Sequence, residues 1–315
     1  MDIPVYLFTG LLDSGKTTFI KEVVGEESFL DPGATAMLLT EQGEISYDEE
    51  FLIKHNIAVE VIEDKEEMKP LLWKRMEMMN KPKQILIEYN GMWELDDLFN
   101  SGIPENWFLA GVYSTVNGET IDMYIQNMRK MFMEPLRTSD LIIINRCDES
   151  IDRQKYRRNF KALNPQVQVG FERPDGTMYP NQQEELPFDV NGDRIVIDDM
   201  DYGLWYIDAM DAPGRYMYKE IEFTAKYCAS NNENIKYFVP GRHVMTCCED
   251  DIQFLGYVCS FEEQPGFEHG DWVRVVVSFD FGPCDVYGPG EEGPILTLID
   301  IKPAEKPEQE LVSFT

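Results

Sequence analysis

Histidine is nearly missing from this chain, with three in 315 residues. Basic residues are scarce as well: 28 Lys and Arg stand against 58 Asp and Glu, a formal net charge of −30. So acidic a surface repels phosphodiester backbones and anionic lipid heads, which argues against nucleic acid as a partner and against membrane docking through basic patches. No apolar run approaches the roughly 18 residues of a membrane-spanning helix, so no membrane insertion is expected. The opening Met-Asp-Ile-Pro has no basic stretch, so no secretory signal is expected and the chain reads as cytoplasmic. Of six cysteines only Cys147 precedes residue 228. In a reducing compartment these are thiols or ligands rather than disulfides. What is plentiful is apolar and aromatic: 43% hydrophobic residues, with 18 Phe and 15 Tyr, are enough for packed cores and exclude global disorder. The length suggests about two domains.

The two halves differ in pattern. Up to about residue 170, short apolar runs alternate with helical stretches. Strands are expected at Pro4–Thr9, Thr35–Leu39, Ile57–Ile62, Gln84–Glu88, Phe108–Val116 and Leu141–Ile144. Helices are expected at Lys16–Val24, Glu66–Met79, Thr120–Leu136 and Asp152–Leu163, the methionines of Met68–Met79 being core at helical spacing. Continuous apolar strands alternating with helices predict an α/β domain over 1–171 with a mostly parallel sheet. The Pro-, Gly- and acid-rich stretch 172–198 reads as a linker. Beyond it come a short aromatic helix within Asp199–Arg215 and five period-2 strands with Gly/Pro turns. They predict a small all-β domain over 199–315, a barrel of the OB type.

The most specific motif is Gly10-Leu-Leu-Asp13-Ser14-Gly15-Lys16-Thr17-Thr18, which fits G-x-x-x-x-G-K-[ST] at every fixed position. Glycines let the backbone wrap around phosphate, and the helix that follows aims its positive end at the same anion. Lys16 is expected on the β- and γ-phosphates and the Thr17 hydroxyl on Mg²⁺. In so acidic a chain this is the local positive pocket an anionic ligand needs. The strand Ile85-Leu-Ile-Glu88 ends in an acid where a Walker B carboxylate belongs, and Gly91 is placed to offer its N–H to the γ-phosphate. Asn145-Arg146-Cys147-Asp148 resembles the guanine motif Asn-Lys-x-Asp: Asn145 would bond the base, Asp148 would accept from the guanine N1–H and N2–H₂ edge, and the Arg146 stem would flank the ring. Cys147 is expected only to pack. These residues imply a P-loop NTPase that binds GTP and GDP with Mg²⁺, using Lys16 and Glu88 in catalysis.

Taken with Thr40-Glu41-Gln-Gly-Glu44, these segments resemble the CobW-type GTPases over about residues 1–170, as does Leu163-Asn-Pro165. That resemblance implies a GTPase of the metal-homeostasis class, a metallochaperone with a metal-receiving or regulated protein partner, and it makes Glu41 and Glu44 candidate switch residues or hard metal ligands. The family usually carries a Cys-x-Cys-Cys motif after its third strand; here Glu60-Val-Ile-Glu-Asp-Lys-Glu-Glu67 has neither cysteine nor histidine. Thr40 stands where the family usually has Asn, and a His-rich C-terminal domain is not evident. Phe238-Val-Pro-Gly-Arg242-His243 through Cys247-Cys248, with Gly256-Tyr-Val-Cys259, is similar to the C-terminal domain of YcgQ-type bacterial proteins, which implies fold rather than activity.

Soft ligands gather in that last stretch. Cys247, Cys248, Cys259 and His243 are candidate ligands for Zn²⁺ or another thiophilic ion, with buried packing thiols as the competing reading. Two functions follow: a GTPase whose cycle governs a metal-related partner or cargo, or a nucleotide-dependent assembly switch that carries no metal.

Overall fold

A computed structural model describes residues 2–26, 29–41, 43, 45–79, 81–180, 186–229, 236–245, 252–288 and 290–312. The chain divides into two compact units, 1–153 with 166–181, and 154–165 with 182–315.

The first unit is built on seven parallel strands: β1 (Ile3–Thr9), β2 (Thr35–Leu39), β3 (Ile57–Val61), β4 (Gln84–Glu88), β5 (Trp107–Asn117), β6 (Leu141–Asn145) and β7 (Gln168–Phe171). Their order across the sheet is β3-β2-β4-β1-β5-β6-β7. The apolar run of β4 is buried at every position because the strand is central and covered on both faces. Helices α1 (Lys16–Gly25), α2 (Glu49–Lys54), α3 (Pro70–Met78), α4 (Leu95–Phe99), α5 (Ile121–Asn127) and α6 (Arg129–Met133) lie between the strands in sequence. One core gathers Leu7, Leu38, Trp73 and Ile87 with Met68 and Met76; another gathers Phe8, Ile20, Met37 and Leu86. The single helix expected over Thr120–Leu136 is instead broken. Met128 leaves helical geometry at φ −137°, and Pro135 opens a separate 3₁₀ turn. The amide of Asn127 donates to the Met123 carbonyl, a local bond that competes with helix propagation.

The second unit holds α7 (Arg153–Leu163, from residue 154), β8 (Arg194–Val196), α8 (Tyr202–Asp211), β9 (Glu220–Ala229), β10 (Tyr237–Met245), β11 (Ile252–Gly256), β12 (Val258–Ser260), β13 (Trp272–Pro283) and β14 (Glu292–Pro303). β8, inside the stretch read as linker, pairs parallel with β9. Five strands close a barrel in the order β9-β10-β12-β14-β13 and back to β9. All its pairs are antiparallel except β12 with β14, the closed Greek-key arrangement of an OB barrel. Gly256 ends β11 opposite β10, where a side chain would sit 2.7 Å from the Pro240 carbonyl, so only glycine allows this close approach. From α8, Trp205 is fully buried with its ring 4.7 Å from Phe223, and Tyr206 stacks on Tyr257 at 4.5 Å. The buried Arg242 guanidinium meets Asp199 at 3.1 Å and the Gln309 carbonyl at 2.7 Å. Among the described residues no helix is long and apolar enough to cross a membrane.

Candidate nucleotide site

β1 and β4 are neighbours and β6 lies one strand beyond β1, across β5; all three end at the carboxyl edge of the first sheet, and the loops leaving them meet. Gly10 (φ +140°) and Gly15 (φ +98°) adopt backbone conformations that favour glycine. A side chain on Gly91 would lie 2.2 Å from the Gly10 carbonyl oxygen, and one on Gly15 would lie 2.4 Å from Asn145 Nδ2. Both glycines are therefore required by the close approach of the three loops. Helix α1 starts at Lys16, so its unpaired N–H groups and positive dipole end face the loop.

Lys16 is 4% exposed. Its ammonium donates to Gly10 O at 2.7 Å, Leu11 O at 3.1 Å and Glu41 Oε2 at 2.6 Å. An ammonium has three N–H groups, and all three are engaged. The Thr17 hydroxyl donates to Glu88 Oε1 at 2.7 Å, and the Tyr47 hydroxyl donates to Glu88 Oε2 at 2.6 Å. Burial, together with the Glu88 carboxylate, raises the Tyr47 phenol far above its ordinary range and keeps it a donor. Asp13, Gly15, Lys16, Thr17 and Thr18 line a cleft of about 130 Å³ together with Glu41, Glu88 and Arg146. The Ser14 hydroxyl points elsewhere, to Thr115 Oγ1 at 2.8 Å. Thr40 accepts from the Asn90 amide at 2.7 Å and donates to the Glu88 carbonyl at 3.1 Å, which fixes the turn after β4.

The base motif reaches the same loop. Asn145 donates through Nδ2 to Ser14 O at 2.7 Å, while its Oδ1 is buried without a hydrogen-bond partner among the described residues. Reversing the amide would set two oxygens against each other, so the orphan oxygen is intrinsic to the arrangement. Arg146, at φ +52°, sends its guanidinium to Asp13 O at 2.9 Å. Cys147 is fully buried and donates to Ile144 O, and burial pushes its thiol up to about 11. Asp148 is exposed; its Oδ1 accepts from Ser150 N at 2.8 Å and Oγ at 2.5 Å, which holds the carboxyl below its usual range.

The candidate soft-metal set does not come together in the described residues. Cys259 pairs in register with Phe238, and the β10 ladder runs on without a bulge to His243. Five residues along a strand is roughly 16 Å, and an odd number reverses the side-chain direction. Cys259 is buried inside the barrel with Phe238, whereas His243 is half-buried against Phe254 on the other face. One ion cannot bridge them at bonding distances near 2 Å. Cys247, Cys248 and Glu44 lie outside the described residues. Among the described residues no group of three or more His, Cys, Asp and Glu side chains is placed to hold a metal. Sequence reasoning missed Tyr47 as part of the site. Tyr47 lies 41 residues before Glu88 in a stretch with no motif, so only the fold could reveal it.

The CobW/HypB/UreG nucleotide-binding domain matches residues 4–171, over half the chain. The chain belongs to that family. The DUF1980 C-terminal domain matches residues 175–313. Among solved structures the chain is similar to the hydrogenase maturation factor HypB from Archaeoglobus fulgidus, at 20% identity over 56% of this chain and 84% of that one, with a TM-score of 0.42. It is also similar to a Zn(II)-bound YjiA GTPase from E. coli, at 15% identity over 73% and 74% of the two chains, TM-score 0.42. HypB from Helicobacter pylori in complex with nickel matches at 14% identity over 54% and 78%, TM-score 0.37. No curated protein matches the chain. The family match spans the segments Gly10–Thr18, Glu88–Gly91 and Asn145–Asp148, and Gly15, Lys16, Glu88 and Arg146 from them line the cleft.

Proposed function

We propose that this protein is a Mg²⁺-dependent GTPase whose nucleotide cycle governs a metal-related partner or cargo. The observation that carries this reading is the meeting of the three motifs: Thr17 is bonded to Glu88, and Asn145 is bonded to the backbone of the same loop. Lys16 would neutralise the β- and γ-phosphates, with the loop and the start of α1 supplying N–H donors. The residues fit a magnesium ion. Thr17 spends its one proton on Glu88, which leaves hydroxyl lone pairs, and the Glu88 carboxylate completes a hard oxygen donor set. Bound there, magnesium would neutralise charge developing on the transferred phosphoryl group. Gly91, packed on Gly10, would sense the γ-phosphate. Asp148 would select guanine through its carboxylate, and the half-buried Asn145, bonded to the Ser14 carbonyl, would keep the base motif in register with the phosphate loop. Membership of the CobW/HypB/UreG family supports a metal-related cargo.

Competition binding tests the nucleotide: GTP and GDP are expected to outcompete ATP. Equal affinity for ATP would leave a P-loop ATPase. Metal analysis of protein purified without a histidine tag, with and without GTP, tests the cargo.

A second reading, a nucleotide-dependent switch without metal, is favoured by the segment after β3. There Asp64 and Glu67 are engaged in a reciprocal capping box, and Glu60 on β3 itself is paired with Arg75.

Because every N–H of Lys16 is engaged, a phosphate must displace one acceptor, and Glu41 is the one that does not belong to the loop's own backbone. Glu41→Gln keeps the shape but exchanges a charge-assisted bond for a neutral one, about half as strong. GTP affinity of this variant is expected to rise about fivefold by calorimetry. Unchanged affinity would mean that Glu41 does not compete with phosphate.

A further inference from the structure

The proposed reading puts Glu88 at the magnesium site, and the following step rests on that reading. Glu88 is 4% exposed, and both oxygens of its carboxylate are held. Thr17 takes Oε1 and Tyr47, thirty residues further along the chain, takes Oε2. The Tyr47 ring is itself fixed. It lies 6.0 Å from the Phe51 ring, the Lys21 ammonium stands 5.7 Å from its centroid, and Lys21 donates to the neighbouring Ser46 carbonyl at 2.7 Å.

We propose that Tyr47 is a positioning residue: its hydroxyl holds the Glu88 carboxylate in the orientation that receives the magnesium ion and its coordinated water. The terminal torsion of a glutamate is broad, so a carboxylate held at one oxygen alone presents the other over a wide arc. A second hydrogen bond removes that freedom before the ion arrives, so the ordering cost does not fall on binding. The Tyr47 hydroxyl spends its proton on Glu88, so its effect is expected in the metal-dependent part of nucleotide binding. It also ties segment 41–47 to the site at a second point, the first being Glu41 on Lys16.

Phenylalanine at position 47 retains the ring and its contacts with Phe51 and Lys21 and deletes only the hydroxyl. The test is calorimetric binding of a non-hydrolysable GTP analogue to the full chain, in EDTA and across a magnesium titration. Tyr47→Phe is expected to match the parent in EDTA and to need about tenfold more magnesium for its half-maximal effect, the usual size of a lost partner behind a metal ligand. Turnover should fall at limiting magnesium and recover when magnesium is raised. Equal magnesium midpoints for variant and parent overturn the inference and leave the nucleotide reading standing. A parent whose affinity for the analogue is the same with and without magnesium overturns both. Weaker binding in EDTA together with a lower melting temperature would assign Tyr47 to packing and overturn the inference as well.

Discussion

Lys16→Ala is expected to weaken GTP binding at least about a hundredfold and to abolish measurable turnover, because it removes the charged donor to two phosphates at once. The same change should cost stability. Lys16 is buried and neutralises Glu41, whose side chain is 11% exposed, and it also satisfies two loop carbonyls. Leaving those acceptors unpaired costs on the order of 1–3 kcal/mol. Thermal melting separates the two effects. The double variant Lys16→Ala, Glu41→Gln removes the orphaned carboxylate, so its melting temperature should recover in part while its nucleotide binding should not. If binding recovers along with stability, Lys16 acts through the fold rather than through phosphate charge.

Guanine preference should disappear in Asp148→Ala. The exposed Asp148 accepts from Ser150 through Oδ1, and these bonds hold its carboxyl below the usual range. An ionised carboxylate accepts from two donors on the guanine edge, and adenine lacks that pair. A site built to bond such donors discriminates steeply, so GTP affinity should fall on the order of a hundredfold while ATP affinity changes little. Competition with labelled GDP reads both numbers. Retained preference for GTP would move base selection to another residue. Because the Asp148 carboxyl is held low, preference in the parent should persist on acidification to about pH 5 and weaken only near the carboxylate range.

The phosphate loop was readable because its chemistry is local. Nine consecutive residues carry the glycines, the lysine and the hydroxyl, and a strand before with a helix after is enough to place them. Glu88 and Asn145–Asp148 were readable for a related reason: each ends an apolar strand, and parallel strands of one sheet end on the same edge. The barrel was legible as alternation and turn spacing, which identify strands but not their partners. Closure of β9 on β10 and the parallel pairing of β12 with β14 belong to tertiary structure. β8 has three residues and no pattern of its own, and its strand character comes from its pairing with β9.

Sequence proximity misled where strand geometry intervened. His243 and Cys259 looked like neighbours in a ligand-rich stretch, yet a strand alternates its faces and spreads residues over about 3.3 Å each, so the two point apart. Glu41 was a candidate switch residue or hard metal ligand, and the fold sets it on the buried Lys16. What the order of residues determined alone was the two domain types and the identity of the phosphate loop, because these depend on periodicity and on short, fixed spacings. What only the tertiary structure decided was which side chains share a carboxylate or an ammonium: Tyr47 with Glu88, Glu41 with Lys16, Asn145 with the Ser14 carbonyl. Those pairs are 25 to 131 residues apart, and hydrogen bonds act over about 3 Å, so nothing in local pattern could announce them until the strands aligned their ends.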